Sequence, residues 1–202
     1  MTGVLQRKPP RLSVELFRAF YATRPEEEEW QLIDGAAIMM TPPTVAHQCI
    51  ATNLLLLLRQ ALEQHAPSLT ALQRLGLNLG PSFEHYDPEP DVVVIDADAS
   101  QDPDRRYIDR FYLAAEIVSA SDRVWAAKKR EIYKLHETCT CVLLVQQDRC
   151  EARVDLRIDD GWREQVLTRP DEVLAIPQFG LRCTLGELYR GTSVQAGKRL
   201  PR

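Results

Sequence analysis

The chain has 202 residues, of which 45% are hydrophobic and 27% charged, and this composition is typical of a folded globular domain rather than a disordered segment. Its formal net charge of −4 excludes a protein that binds nucleic acid non-specifically through an overall basic surface. The longest apolar run, residues 54–58, is too short to span a bilayer, and the N-terminus lacks the apolar segment of a signal peptide. We therefore expect a cytoplasmic protein that does not enter a membrane.

The N-terminal half of the chain predicts helices and a hairpin. Ser13 is the expected N-cap of a short amphipathic helix. Asp34-Gly35 between two apolar runs is typical of a tight hairpin turn. Pro67 ends a long segment with apolar residues at helical spacing. The predicted elements are a helix at 13–22, a hairpin at 30–40, a helix at 44–65 and a strand at 69–79.

The C-terminal half predicts mainly strands around one helix. The elements are strands at 90–95 and 113–118, a helix ending near 136, a strand at 141–146, a β meander at 151–158, 163–167 and 173–176, and a short helix from 184 to 189. We expect one domain over residues 13–190, between flexible segments at 1–12 and 191–202. Its class is α/β (α+β), with an N-terminal helix and hairpin, a mixed sheet and a C-terminal β meander.

The five cysteines predict no disulfide framework, because their number is odd and their spacing irregular. Cys139 and Cys141 could form half of a structural zinc site, but no second pair accompanies them. We expect buried free thiols.

Two carboxylates stand out because they lie in otherwise apolar segments. Asp91 opens the run at 90–95, and Glu116 interrupts the run at 113–118. A carboxylate in a buried strand is costly unless it meets a cation, a metal or a hydrogen-bond donor. Lys129 follows on the next predicted helix. Two carboxylates that hold a divalent metal, with an ammonium beside them, are suited to hydrolysis of a phosphodiester.

These residues also have interpretations without catalysis. Asp91 could cap backbone amides at the start of its strand, and Glu116 could form a buried salt bridge with Lys128 or Lys129. Three consecutive cations usually lie on a solvated helix face. Because successive helical side chains are rotated by about 100°, only one of the three can point toward Glu116. If Lys129 serves the site, it should be that residue, while Lys128 and Arg130 should point to solvent.

Four segments stand in a recognisable order, namely Leu32 to Gly35, Pro42-Pro43 with His47-Gln48, Pro90 to Val93, and Glu116 to Asp122 followed by Lys129 to Tyr133. Together, over about residues 13–190, they resemble the Uma-type restriction endonuclease family, a branch of the PD-(D/E)XK nuclease superfamily. The resemblance implies a restriction-endonuclease-like mixed central β-sheet flanked by helices. It also implies DNA as the substrate, Mg²⁺ or Mn²⁺ as the cofactor, and a homodimer or higher homo-oligomer.

The resemblance assigns roles to three residues. Asp91 and Glu116 match the acidic positions that coordinate the metal. The superfamily's lysine often lies two residues after the second acid, where this chain has Val118. Lys129 is then the match, because a long side chain from the following helix can bring its ammonium to the same point.

Four further residues bear on the predicted site, namely Gln31, Ala36, His47 and Tyr133. Relatives commonly have glutamates directly before and after the Leu-Ile-Asp-Gly segment, where this chain has Gln31 and Ala36. Gln31 can still offer a carbonyl oxygen to the metal, without charge. His47 is either a wall of the site or a half-exposed helix histidine, and Tyr133 is assigned to core packing.

The predicted function is a metal-dependent endonuclease that hydrolyses DNA, and the alternative is a catalytically impaired relative acting as an oligomeric or nucleic-acid-binding scaffold. The Asp91 and Glu116 carboxylates should lie about 4–6 Å apart in order to share a metal. With one carboxylate fewer than its relatives, the protein should cleave DNA weakly and with preference for Mn²⁺. Gln31→Glu should then increase cleavage with Mg²⁺.

Overall fold

Strands interrupted by a few helices make up most of the chain, which a computed structural model describes over residues 11–102 and 104–194. Most of the predicted segments at 1–12 and 191–202 therefore lie outside the described residues. The helices are α1 (Val14–Tyr21), α2 (Val45–His65), α3 (Arg123–Leu135) and α4 (Leu185–Leu188). The strands are β1 (Trp30–Ile33), β2 (Ala36–Met39), β3 (Leu69–Leu72), β4 (Gly76–Leu77), β5 (Val92–Asp96), β6 (Tyr107–Ile108), β7 (Leu113–Val118), β8 (Cys141–Gln146), β9 (Ala152–Ile158), β10 (Gly161–Leu167), β11 (Val173–Ile176) and β12 (Leu181–Thr184).

A six-stranded mixed sheet forms the centre of the fold, in the order β10-β9-β8-β7-β5-β3. β7 and β8 are parallel, and the other neighbouring strands are antiparallel. β5, β7 and β8 are buried on both faces, which explains their nearly continuous apolar sequences. The sheet is flanked by helices, and this confirms the predicted α/β (α+β) class.

Helices α2 and α3 cover opposite faces of this sheet. Ala115 of β7 packs in one core with Leu54 of α2, whereas Ala114 packs in a second core with Ile132 of α3. Because side chains alternate between the two faces of a strand, Glu116 shares the α3 face with Ala114. The alternation along β7 therefore directs the Glu116 carboxylate toward α3.

The predicted hairpin is confirmed, and a β-bridge attaches it to the segment that leads into β5. Asp34 and Gly35 form its turn, with φ of 55° and 76°. A Cβ atom at Gly35 would lie 2.5 Å from the Arg11 Cβ, so this turn has no room for a larger residue. Leu32 and Asp87 exchange backbone hydrogen bonds of 3.3 and 2.8 Å. This bridge brings β1 beside the residues just before β5.

Two predicted strand regions differ from the structure. The segment at 69–79 is two strands, because Arg74 adopts a left-handed φ of 53° between them. β3 joins the central sheet, while β4 pairs with β6, a two-residue strand that lies between β5 and β7 in the chain. The predicted meander is also divided. β9 and β10 continue the central sheet after β8, but β11 pairs with β12 in a separate two-stranded sheet.

The remaining elements confirm the predictions. Ser13 caps α1 by accepting a hydrogen bond from the Leu16 amide, and Thr184 forms a capping box with Glu187 at α4. The five cysteines, all in the described residues, are free. No helix in the described part of the chain is long and apolar enough to cross a membrane.

Candidate active site

Glu116 lies buried between β7 and α3. Its Oε2 forms an ion pair with Lys129 Nζ at 2.6 Å, and its Oε1 accepts a hydrogen bond from the Tyr133 hydroxyl at 2.8 Å. Lys129 and Tyr133 are four residues apart, so both project from the same face of α3. The exposed fractions of Glu116 and Lys129 are only 6% and 5%, so each charge depends on the other for compensation. The buried salt bridge expected as one alternative is therefore present.

Asp91 lies immediately before β5 and beside Glu116. β5 and β7 are antiparallel, with Val92 opposite Ala115, and one further step in this register brings Asp91 opposite Glu116. Asp91 Oδ2 accepts a hydrogen bond of 2.7 Å from the Ile117 amide. The interpretation of Asp91 as a cap for a backbone amide thus agrees with the geometry, and the same contact fixes the carboxylate next to Glu116.

His47 reaches Asp91 from the first turn of α2. The Thr44 hydroxyl accepts a hydrogen bond from the His47 amide and so caps this turn. His47 Nε2 lies 3.0 Å from Asp91 Oδ1. Since an ionised carboxylate can only accept a hydrogen bond, Nε2 is the donor. His47 is half-buried and touches the carboxylate directly, which is a closer role than the predicted wall of the site.

Gln31 holds the Lys129 ammonium in place. Lys129 Nζ donates to Gln31 Oε1 at 3.1 Å and to the Glu89 carbonyl oxygen at 3.4 Å, in addition to its ion pair with Glu116. Gln31 also exchanges hydrogen bonds with the backbone of Glu89, donating from Nε2 at 3.2 Å and accepting at Oε1 at 3.3 Å. Both lone pairs of the Gln31 oxygen are thus engaged. The metal-binding role of Gln31 stays a prediction.

Lys128 and Arg130 were predicted to point to solvent, and this is wrong for Arg130, whereas Lys128 is partly exposed. Lys128 Nζ is 2.6 Å from Asp34 Oδ2 at the hairpin turn. Arg130 is mostly buried and donates from Nε to Asp155 Oδ2 on β9 at 2.6 Å. Acidic residues on two separate elements therefore flank α3, and each of the three consecutive cations has its own carboxylate.

The site residues line a small cavity that opens into a larger cleft. The inner cavity has a volume of about 70 Å³ and is lined by Asp91, Glu116, Lys129, Gln31 and His47, together with apolar side chains of β2 and α3. This volume is enough for a few water molecules or a partly hydrated ion. The outer cleft, of about 470 Å³, shares Asp91, Gln31 and His47 with the inner cavity. The structure thus brings all five predicted site residues together.

The two carboxylates have opposite pKa shifts. Burial raises the pKa of Glu116 and the Asp91 charge adds to this rise, so the pKa is about 7 although the Lys129 ammonium and the Tyr133 hydroxyl act to lower it. Burial also acts to raise the pKa of Asp91, but hydrogen bonds from His47 and the Ile117 amide, with the Lys129 charge, lower it overall. Asp91 is therefore ionised at neutral pH, while Glu116 keeps its proton to a higher pH than a free carboxyl does. Such a divergence of two neighbouring acids is typical of catalytic sites.

The chain matches a family model described as "Uma2: Putative restriction endonuclease" over residues 14–186. The protein belongs to this family. Among solved structures, it is similar to one titled as a "putative nuclease" belonging to DUF820 from Anabaena variabilis, with a TM-score of 0.69 and 16% identity. The similarity covers 88% of this chain and 97% of the other, and at this identity it shows the fold. A comparison with curated proteins finds no match.

The donor set of this Uma2-family chain suits a hard divalent cation. Asp91 and Glu116 present carboxylate oxygens to one cavity, and the ionisation of Asp91 provides negative charge there. Within residues 11–102 and 104–194, no three His, Cys, Asp or Glu residues cluster in a way that would hold a metal ion by themselves. Mg²⁺ is commonly bound by one or two carboxylates and completed by water and substrate phosphates. The residues present therefore fit such an ion.

The sequence analysis did not assign Trp125 or Tyr133 to the site, although their spacing from Lys129 could have indicated it. Trp125, Lys129 and Tyr133 are separated by four residues each, so they lie on one face of α3. Tyr133 packs edge-on against Phe111, as predicted for a core residue, and also donates to Glu116. Trp125 lines both the inner cavity and the outer cleft. In contrast, no sequence pattern indicated that the Glu89 backbone would meet Gln31.

Proposed function

We propose that this Uma2-family protein is a metal-dependent endonuclease that hydrolyses phosphodiester bonds of DNA. The observation that carries the proposal is the convergence of Asp91, Glu116 and Lys129 on one cavity, with the pKa values of the two acids shifted in opposite directions. Asp91 and Glu116 would hold Mg²⁺ or Mn²⁺. Such an ion supplies charge neutralisation at the phosphate and makes a bound water more acidic.

The chain's own residues would orient and stabilise the reacting groups. His47 and the Ile117 amide fix the two oxygens of Asp91 by hydrogen bonds. Gln31 positions Lys129, whose three N–H groups already have acceptors. Its ammonium would donate to the attacking water or to a phosphate oxygen in place of its longest contact, the 3.4 Å bond to the Glu89 carbonyl. Apolar side chains of β2 and α3 line the inner cavity beside these groups, and a less polar surrounding would strengthen the interactions.

The second candidate function, a nuclease-fold scaffold without catalysis, also has support. All four carboxylate oxygens of Asp91 and Glu116 already have a partner within the chain, and Lys129 has three acceptors. This network compensates its charges without a metal. Gln31 also lacks the charge of the glutamate that relatives commonly have. The predicted homo-oligomer and cytoplasmic location likewise stay predictions.

Nicking of supercoiled plasmid separates the two functions. We expect cleavage with Mn²⁺, weaker cleavage with Mg²⁺ and none in chelator. Asp91→Asn and Glu116→Ala should each reduce cleavage at least 100-fold. Asp96→Asn is the matched control, because Asp96 lies at the opposite end of β5, where it contacts Tyr112. Absence of cleavage under every metal would leave the scaffold, and equal cleavage by Glu116→Ala and wild type would indicate a contaminating nuclease.

A further inference from the structure

The outer cleft contains an aromatic ring beside the carboxylates. Trp125 is half-buried on α3, one turn before Lys129, and lines both the inner cavity and the outer cleft. Lys128 Nζ lies 5.1 Å from the centre of its ring. Apolar side chains, including Ile38 and Met40, line the same two spaces. An aromatic and apolar surface therefore adjoins the point where a scissile phosphate would lie.

The charges of the outer cleft do not suit the backbone of a DNA duplex. Arg74 and His47 are the basic residues among the described side chains that line the cleft. Arg74 forms ion pairs with both Glu29 and Glu89, and His47 contacts Asp91. Asp91 and Asp122 add two further carboxylates. Binding along a duplex backbone requires several cations that are free to contact phosphates. This cleft offers no such set.

Neutral polar groups complete the lining. The side chains of Gln48, Gln73, Ser121 and Gln147 supply amide and hydroxyl groups that can donate or accept hydrogen bonds. The edge of a nucleobase presents both donors and acceptors, and its face stacks on aromatic side chains. The volume of about 470 Å³ lies within the range of about 300–1,000 Å³ that is typical of small-molecule sites. A single nucleotide fits this space better than a double helix does.

We propose that the outer cleft is a nucleobase subsite, in which one unstacked base of the substrate lies against Trp125. This inference rests on the proposed nuclease function and narrows its substrate class to single-stranded or locally unpaired DNA. Stacking of a base on Trp125 supplies binding affinity without contacts to phosphate, so an acidic cleft can still bind a polyanionic strand. When an enzyme binds a base that has left a duplex, the free energy of unpairing and unstacking that base weakens binding. A base that is already unpaired has no such cost and therefore binds more tightly.

The test compares binding of a fluorescein-labelled 12-nucleotide single strand with binding of the same sequence as a blunt duplex. Fluorescence anisotropy is measured with Ca²⁺ in place of Mg²⁺, and gel electrophoresis checks that the DNA stays intact. We expect wild type to bind the single strand at least tenfold more tightly than the duplex. Trp125→Ala should weaken single-strand binding about tenfold, whereas Trp125→Phe, which keeps an aromatic ring, should stay within about threefold of wild type.

Val124→Ala is the matched control, because Val124 is an exposed neighbour on α3 that lines neither space. Thermal melting checks that each variant folds, and Trp125→Phe covers the case in which Trp125→Ala does not. Equal binding of single strand and duplex, or wild-type affinity in a folded Trp125→Ala variant, would overturn the subsite even if plasmid is cleaved. Trp125-dependent binding without cleavage in any metal would instead overturn the nuclease function and leave the subsite.

Discussion

The Tyr133 hydroxyl should set the pH at which the site can bind a metal. Glu116 has a pKa of about 7, and the hydrogen bond of 2.8 Å from Tyr133 stabilises its ionised form. Tyr133→Phe removes this donor but keeps the ring that packs on Phe111. A hydrogen bond to a charged group contributes about 1.5–3 kcal/mol, so its loss should raise the Glu116 pKa by about one unit or more.

Protons and the metal ion compete for the Glu116 carboxyl, and this competition determines the direction and size of the change in metal affinity. The Glu116 carboxyl must lose its proton before it can bind a cation, so a higher pKa weakens the apparent metal affinity below that pKa. For a rise of about one unit, the ratio of variant to wild-type dissociation constants is about nine at pH 6, about five at pH 7 and about 1.3 at pH 8.5. The defect should therefore vanish as the pH rises.

Isothermal titration with Mn²⁺ between pH 6 and 8.5 measures this ratio directly. Tyr112→Phe is the matched control, because the Tyr112 hydroxyl also donates to a carboxylate, Asp96 Oδ1, at 2.8 Å, but lines neither the inner cavity nor the outer cleft. This control should bind Mn²⁺ like wild type at every pH. A Tyr133→Phe defect that is the same across the pH range, or one that Tyr112→Phe shares, would refute the reasoning.

Two further predictions concern the Lys129 ammonium and its partner Gln31. Lys129→Met should reduce plasmid cleavage at least 100-fold. Lys128→Met should stay within about threefold of wild type, because Lys128 pairs with Asp34 at the hairpin turn. Equal loss of cleavage in both variants would contradict a specific role for Lys129. Gln31→Glu should increase the ratio of Mg²⁺- to Mn²⁺-dependent cleavage, because it adds negative charge at the site. The same change should lower the free energy of unfolding by about 1–3 kcal/mol, because the side-chain amide that donates to the Glu89 carbonyl is lost. Urea unfolding measures the change in stability. If Gln31→Glu changes neither the free energy of unfolding nor the ratio of Mg²⁺- to Mn²⁺-dependent cleavage, both expectations for Gln31 are contradicted.

The strand carboxylates could be found from the sequence because the surrounding pattern is so regular. Apolar runs on both sides of Glu116 predicted a central strand, and a charge in such a strand must have a partner close by. Helical spacing then allowed only one of three consecutive cations to face Glu116, and the family resemblance selected Lys129. Local periodicity and the cost of burying charge thus indicated that β7, α3 and the start of β5 meet, and the resemblance supplied the particular lysine.

The parts that the sequence could not predict depend on contacts between distant segments. Arg130 is mostly buried because it pairs with the buried Asp155, 25 residues later in the chain, and nothing local to α3 indicates that partner. The role of Gln31 depends on the bridge between Leu32 and Asp87, which brings the Glu89 backbone to its amide. The division of the predicted strand at 69–79 depends on the left-handed Arg74, a conformation that is uncommon for non-glycine residues and that no local pattern indicated.

The central claim is that Asp91 and Glu116 share a divalent cation. Anomalous diffraction from crystals soaked in Mn²⁺ tests it most directly, because Mn²⁺ scatters anomalously and sulfur or lighter atoms do so far less. The account predicts one strong peak in the inner cavity, within about 2.0–2.6 Å of an oxygen of each carboxylate. A crystal in which Lys129 keeps its ion pair with Glu116, with no peak in that cavity at saturating Mn²⁺, would contradict it.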